Sequence, residues 1–261
     1  MQIVINNIKM PVNHKIEDVL LAAQEFVRQQ CIYADNFYIY RQSIDARHKK
    51  SIKYIYSVAA EVNNGAKILP NSNLQIISQN DEIKVESKKM FKKRPVVVGM
   101  GPCGLFTAYI LTLSGNPPLI IERGGMVEER VKSVEEFWNS GKLNTESNVQ
   151  FGEGGAGTFS DGKLNTGIKD KRQRFILKTF VRFGAPNDIL YKSKPHIGTD
   201  KLRNVLINMR KYLLDNGCEI QFNTTLTSLK MRNGKVSEIE LNNDKVIECD
   251  KLFLSIGHSS R

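Results

Sequence analysis

The stretch PVVVGMGPCGLFTAYILTLSGNPPLIIERG, residues 95–124, decides how the chain is read. It opens with an apolar run, passes through a glycine cluster into an apolar segment of helical length, and closes with a second apolar run. Runs apolar on both faces suit strands of a parallel sheet covered by helices. The pattern predicts a buried strand over 95–99, a helix over 102–114 and a second buried strand over 118–122. Gly99, Gly101 and Gly104 form a G-x-G-x-x-G between the first strand and the helix, the context in which that spacing has physical meaning. Gly99 permits the tight turn, Gly101 lets the backbone approach a pyrophosphate with no Cβ in the way, and Gly104 lets the helix lie close to the strand. The exposed N–H groups and positive end of the helix receive the phosphates, and Pro102 suits the first helical turn, where its missing N–H costs nothing. Glu122, 18 positions after Gly104, ends the second strand, where a carboxylate accepts the ribose hydroxyls of an adenosine. The acid argues against a 2′-phosphate, hence against NADP in this site, and leaves NAD and FAD. The bland alternative is a glycine turn followed by a chance strand-end acid.

Upstream, residues 2–8 read as a strand and 17–29 as an amphipathic helix, because Val19, Leu20, Ala23, Phe26 and Val27 recur at helical spacing. Alternating aromatic and polar residues over 36–45 and 51–62, joined by the polar turn ARHKK, read as two further strands. This βαββ order predicts a small α+β domain over 1–88, separated by a basic linker over 89–94 from a second domain over 95–261. Downstream, helices are expected at 127–140, 170–183 and 199–216, the last capped by Thr199 or Asp200. Residues from 221 onward read as an antiparallel meander with turns at Asn233-Gly234 and 242–244, leading into a final buried strand over 252–256.

The formal charge is +11, with +6 in residues 1–94 and +5 in the rest. A basic surface suits an anionic cofactor, an anionic substrate or RNA equally, and a lysine-rich composition with no partner explains it as well. Four scattered cysteines with no C-x-x-C pair suggest neither a metal site nor a disulfide framework, and they exclude the paired redox thiols of disulfide-reducing flavoenzymes. The amino terminus lacks the basic start and apolar run of a secretory signal, and no apolar run approaches the length of a spanning helix. A cytoplasmic protein that makes no use of a membrane is expected.

VVVGMGPCGLFTAYIL followed by IIERG resembles the FAD-binding fold of the glutathione-reductase and p-hydroxybenzoate-hydroxylase type. With FGEGGAGTFSDGKLNT (151–166), KPHIGTDKL (194–202), LFLSIGHSSR (252–261) and the R-x-S-x-D-A-R of residues 41–47, essentially the whole chain resembles a family of bacterial FAD-dependent dehydrogenases. The resemblance implies a Rossmann-type FAD-binding fold with a β-meander, preceded by the small α+β domain. FAD would be held by Gly99, Gly101, Pro102, Gly104, Glu122 and Arg123, with Gly155, Gly157 and Thr158 along the flavin and Gly257 in a small-residue turn near it. That architecture continues with a substrate-domain sheet and a late cofactor contact, so on this comparison the chain reads as C-terminally truncated.

Two side chains are candidates for catalysis. Lys163, after the glycine-rich loop, would complement negative charge on a reduced flavin, or is one half of a solvated ion pair with Asp161. His196 is an acid or base, or a packed turn residue. His258 and Ser259, after the last strand, read as turn or cap residues, and Cys103 as a small helix-start residue. The leading expectation is an FAD-dependent oxidoreductase acting on a small-molecule substrate or electron acceptor, with NAD(P)H as a candidate donor. A flavin-dependent RNA-modifying enzyme and a non-catalytic nucleotide-binding remnant are the alternatives.

Overall fold

A computed structural model describes residues 1–63, 68–77, 83–88, 91–164, 170 and 172–257. The chain divides into two units, the first made of residues 1–83, 164–181 and 186–196, the second of 84–163, 182–185 and 197–261. Where the sequence suggested one border, at the basic linker, packing also gathers two later segments into the first unit. Lys88 is tied to the second unit: its amide donates to the Ser114 carbonyl at 2.9 Å and the Asn116 side-chain amide to its carbonyl at 2.7 Å.

The first unit is built on β1 (Gln2–Pro11), α1 (Ile16–Gln29), β2 (Ala34–Asp45), β3 (Lys53–Val62) and β4 (Leu74–Ile77). The strands form an antiparallel sheet in the order β2-β3-β1-β4. β4, only four residues long, extends the expected βαββ order. Val19, Ala23 and Val27 share one face of α1 and pack on Ile3, Ile5, Tyr56, Val58 and Leu74. The later segment joins β2 at Gln42, whose N–H donates to the Tyr191 carbonyl at 2.7 Å and whose carbonyl accepts the Ser193 N–H at 3.2 Å.

The second unit holds β5 (Val96–Val98), α2 (Pro102–Leu113), β6 (Leu119–Ile121), α3 (Val127–Ser140), α5 (Thr199–Asp215), β7 (Glu219–Gln221), β8 (Leu226–Arg232), β9 (Lys235–Leu241), β10 (Lys245–Glu248) and β11 (Leu252–Leu254), while α4 (Arg172–Arg182) lies mostly in the first unit. A four-stranded parallel sheet runs in the order β11-β5-β6-β7. β7 corrects the expected meander: Gln221 belongs to the parallel sheet, paired with Ile121. The meander proper, β8 to β10, turns at Asn233-Gly234 with φ of 51° and 72°, the paired positive values of a tight hairpin. Its Ile239 and Leu241 pack on Val96, Val98, Leu119 and Ile121 of the parallel sheet. No described helix is long and apolar enough to cross a membrane.

Candidate functional site

Three backbone segments and one carboxylate meet where β5 passes into α2. In the first segment, Gly104 lies so close to the turn that a Cβ on it would run into the Gly99 carbonyl oxygen. Gly99 itself, at φ +96°, lies against the Ser255 carbonyl, with no room for a side chain. Gly101 is different: the nearest atom a Cβ would meet is Gly155 Cα, at 3.9 Å, so the space beside it is open. Pro102 opens α2 with Gly101 as its extended N-cap.

The second segment is the glycine-rich loop. The Gly154 N–H donates to the Met100 carbonyl at 2.8 Å, and a Cβ on Gly155 would lie 3.2 Å from Pro102 Cδ, so this loop rests directly on the first. The third is the turn after β11, where the Ser255 N–H donates to the Val98 carbonyl at 2.8 Å and the Ser255 hydroxyl to Cys103 Sγ at 3.4 Å. Glu122 is buried at the end of β6. One carboxylate oxygen accepts the Met100 N–H at 2.6 Å and the other the Gly124 N–H at 2.8 Å. Each oxygen keeps a second lone pair for a hydroxyl.

Gly99, Gly101, Pro102, Gly104, Glu122 and Gly155 thus lie in or against the turn from β5 into α2, with open space beside Gly101; Gly257, at φ +57°, closes the third segment. Gly157 also faces open space. The remaining expected residues are engaged elsewhere. Arg123 donates to Glu146 at 3.1 Å and lies 4.8 Å over the Phe151 ring. Thr158 is fully buried, its hydroxyl between Arg130 and the Glu153 carbonyl. Lys163 is exposed and pairs with Asp161 at 2.7 Å, which holds its ammonium above the usual range. His196 is exposed in the first unit. The helix cap is corrected: Gly198 is the N-cap of α5, and Thr199, already helical, donates its hydroxyl to the Ser160 carbonyl at 2.8 Å. His258 and Ser259 lie outside the described residues.

Beneath the second loop is a charged layer that sequence reasoning missed. Arg130 of α3 is fully buried and donates to the carbonyls of Asn148, Val149, Glu153 and Gly155. Burial pushes its guanidinium down to about 10, partly offset by the Glu122 and Glu153 carboxylates, so it stays cationic near neutrality. Glu153 is equally buried. One oxygen accepts the Val127 N–H at 2.8 Å and the Arg210 guanidinium at 2.7 Å; the other has no partner among the described residues. Burial pushes this carboxyl up to about 7, against the pull of the Val127 N–H and Arg210. Phe159 completes the layer, with Arg130 and Arg203 at 4.9 Å and 5.2 Å from its ring centre.

Residues 1–61 match the model of a domain of unknown function, DUF8436. An uncharacterized protein of Clostridium beijerinckii is 46% identical over 227 residues; the match takes in 85% of this chain and 42% of that protein, so the chain spans less than half its relative's length. Among solved structures, OTEMO in complex with FAD and NADP overlaps 65% of this chain and 26% of its own at 18% identity and a TM-score of 0.39. THI4 of Thermovibrio ammonificans overlaps 63% and 57% at 19% identity and 0.39. The ferredoxin reductase of the CYP199A2 system of Rhodopseudomonas palustris overlaps 62% and 23% at 13% identity and 0.29.

Proposed function

We propose that the second unit binds FAD and that the chain serves an FAD-dependent oxidoreductase. The observation that carries this reading is the open space beside Gly101, framed by two glycine loops joined through Met100 and bordered by a strand-end carboxylate. The parallel strand order β11-β5-β6-β7 supports reading the sheet as Rossmann-type, a fold in which nucleotides bind beyond the carboxyl ends of the strands. A pyrophosphate fits the glycine cradle, and a hydroxyl-bearing ribose fits the free lone pairs of Glu122. The second loop prolongs the cradle past the pyrophosphate, as a flavin half requires and a bare adenylate does not.

On this reading Gly99, Gly101, Pro102 and Gly104 take the pyrophosphate, Glu122 and Arg123 border the adenosine, and Gly155, Gly157 and Gly257 flank the flavin side. Bound FAD would supply hydride acceptance from NAD(P)H or an organic substrate and onward electron transfer. Lys163 would add positive charge near the ring.

The test is to purify the chain, record its visible spectrum, release the cofactor and identify it. Bound FAD whose colour bleaches with NADH, NADPH or an organic donor supports the reading. A chain that comes out colourless and takes up no added FAD overturns it.

A further inference from the structure

The guanidinium of Arg130 spends its donors on backbone. It reaches the Asn148 carbonyl at 2.9 Å, Val149 at 3.1 Å, Gly155 at 3.2 Å and Glu153, with the Thr158 hydroxyl at 3.4 Å. Taking a cation out of water costs several kcal/mol unless its donors are fully used. Here they are used on one loop, 18 to 28 residues further along the chain, and Gly152 is shaped to admit the side chain: a Cβ there would collide with Arg130 Cδ.

The choice of carbonyls has a consequence on the loop's other side. In a trans peptide the C=O and the following N–H point in opposite directions, and the described chain has no cis bond. Drawing the Glu153 carbonyl onto Arg130 turns the Gly154 N–H the other way, and it lands on the Met100 carbonyl of the first glycine loop. Drawing the Gly155 carbonyl onto Arg130 turns the Ala156 N–H away from the guanidinium in the same manner.

We propose that Arg130 is the positioning residue of the cofactor loop, a buried fork that holds the carbonyls of residues 148–155 inward so that the opposite face of the loop closes over the pyrophosphate and flavin side of FAD. This rests on the reading of the site as an FAD site. Arg130 touches no ligand itself; it acts through the backbone it orders.

The test uses Arg130→Lys in the full chain, which keeps the charge and most of the volume but replaces a planar fork by a point donor unable to span four carbonyls. Affinities for FAD and AMP are measured together, since AMP uses the first loop and Glu122 but does not extend along the second. FAD affinity is expected to fall about tenfold or more while AMP affinity stays within twofold, the size expected for losing one or two hydrogen bonds to a charged group. Equal losses for both ligands, or none for either, overturn the proposal while leaving the FAD reading standing. A wild-type chain that binds no FAD overturns both. Gly152→Ala, which displaces the guanidinium without removing it, must show the same split, with circular dichroism as the check on folding. If neither variant folds, Arg130 serves the fold rather than the loop, and the proposal is lost.

Discussion

Glu122 accepts the Met100 N–H at 2.6 Å, and in doing so ties the end of the second parallel strand to the middle of the glycine motif. The carboxylate thus has a structural task besides the ribose contact expected of it, since its other oxygen holds the Gly124 N–H at 2.8 Å. Glu122→Gln keeps one acceptor oxygen but turns an amide N–H toward a backbone N–H. A hydrogen bond to a charged group contributes about 1.5–3 kcal/mol, so FAD affinity should fall roughly ten- to a hundredfold, AMP affinity should fall with it, and thermal stability should drop. Titration with both ligands checks this. A loss confined to FAD would show that Glu122 does not border the adenosine.

The two glycines of the motif should separate binding from folding. Gly101 has open space beside it, whereas Gly104 lies against the Gly99 carbonyl. Gly101→Val should abolish FAD retention with little change in melting temperature. Gly104→Ala should destabilise the second unit even without ligand, because the helix must move off the strand. Paired melting curves and flavin content decide, and a Gly101→Val chain that keeps stoichiometric FAD would remove the site from this loop.

The elements around residues 95–124 were legible because three independent signals agree there: double-faced apolar runs, a glycine spacing and a strand-end acid. The helix Val127–Ser140 was legible from its periodicity. Arg130 was not. It stands among Glu128, Glu129 and Lys132, a local context that reads as a solvated helix face, and what buries it is a loop that returns much later in the chain. The same holds for Glu153, which reads as one polar residue in a glycine run yet is buried on α3 and Arg210. β4 and β7, of four and three residues, are defined by their neighbours' hydrogen bonds rather than by any pattern of their own. The attachment of residues 191–193 to Gln42 is likewise a long-range pairing with no local signal.

Glu153 gives the second unit a pH dependence of definite sign. Its folded carboxyl is raised to about 7 from an ordinary 4.5, mainly by burial, with Arg210 and Arg130 opposing the rise and Glu128 adding to it. The folded state therefore holds this proton more tightly than the unfolded state. The contribution is fully present below about 4.5 and is lost as pH rises through about 7. Melting temperature, measured without ligand, should decline across that window in the wild type. In Glu153→Gln, which cannot ionise, the decline should flatten, leaving the variant at least as stable as the wild type above the window. An unchanged slope would mean that Glu153 is ionised throughout, held by Arg210.

The cysteines offer a footprint of the proposed cofactor that needs no substrate. Cys31 and Cys103 are exposed, while Cys218 and Cys249 are buried and their thiols are pushed up by burial, so a maleimide should modify the first two quickly and the others slowly. Cys103 is the second residue of α2, beside the open space at Gly101, with the Ser255 hydroxyl 3.4 Å from its sulfur. Cys31 follows α1 in the first unit and serves as the internal control. Saturating FAD should slow modification of Cys103 severalfold and leave Cys31 unchanged, as read by mass spectrometry of the labelled peptides. AMP should protect Cys103 less than FAD does, because it carries one phosphate where FAD spans the helix start with two. Cys103 labelled at the same rate with and without FAD would mean that nothing covers the start of α2. Equal slowing at Cys31 would point to quenching of the reagent rather than to occupancy of the site.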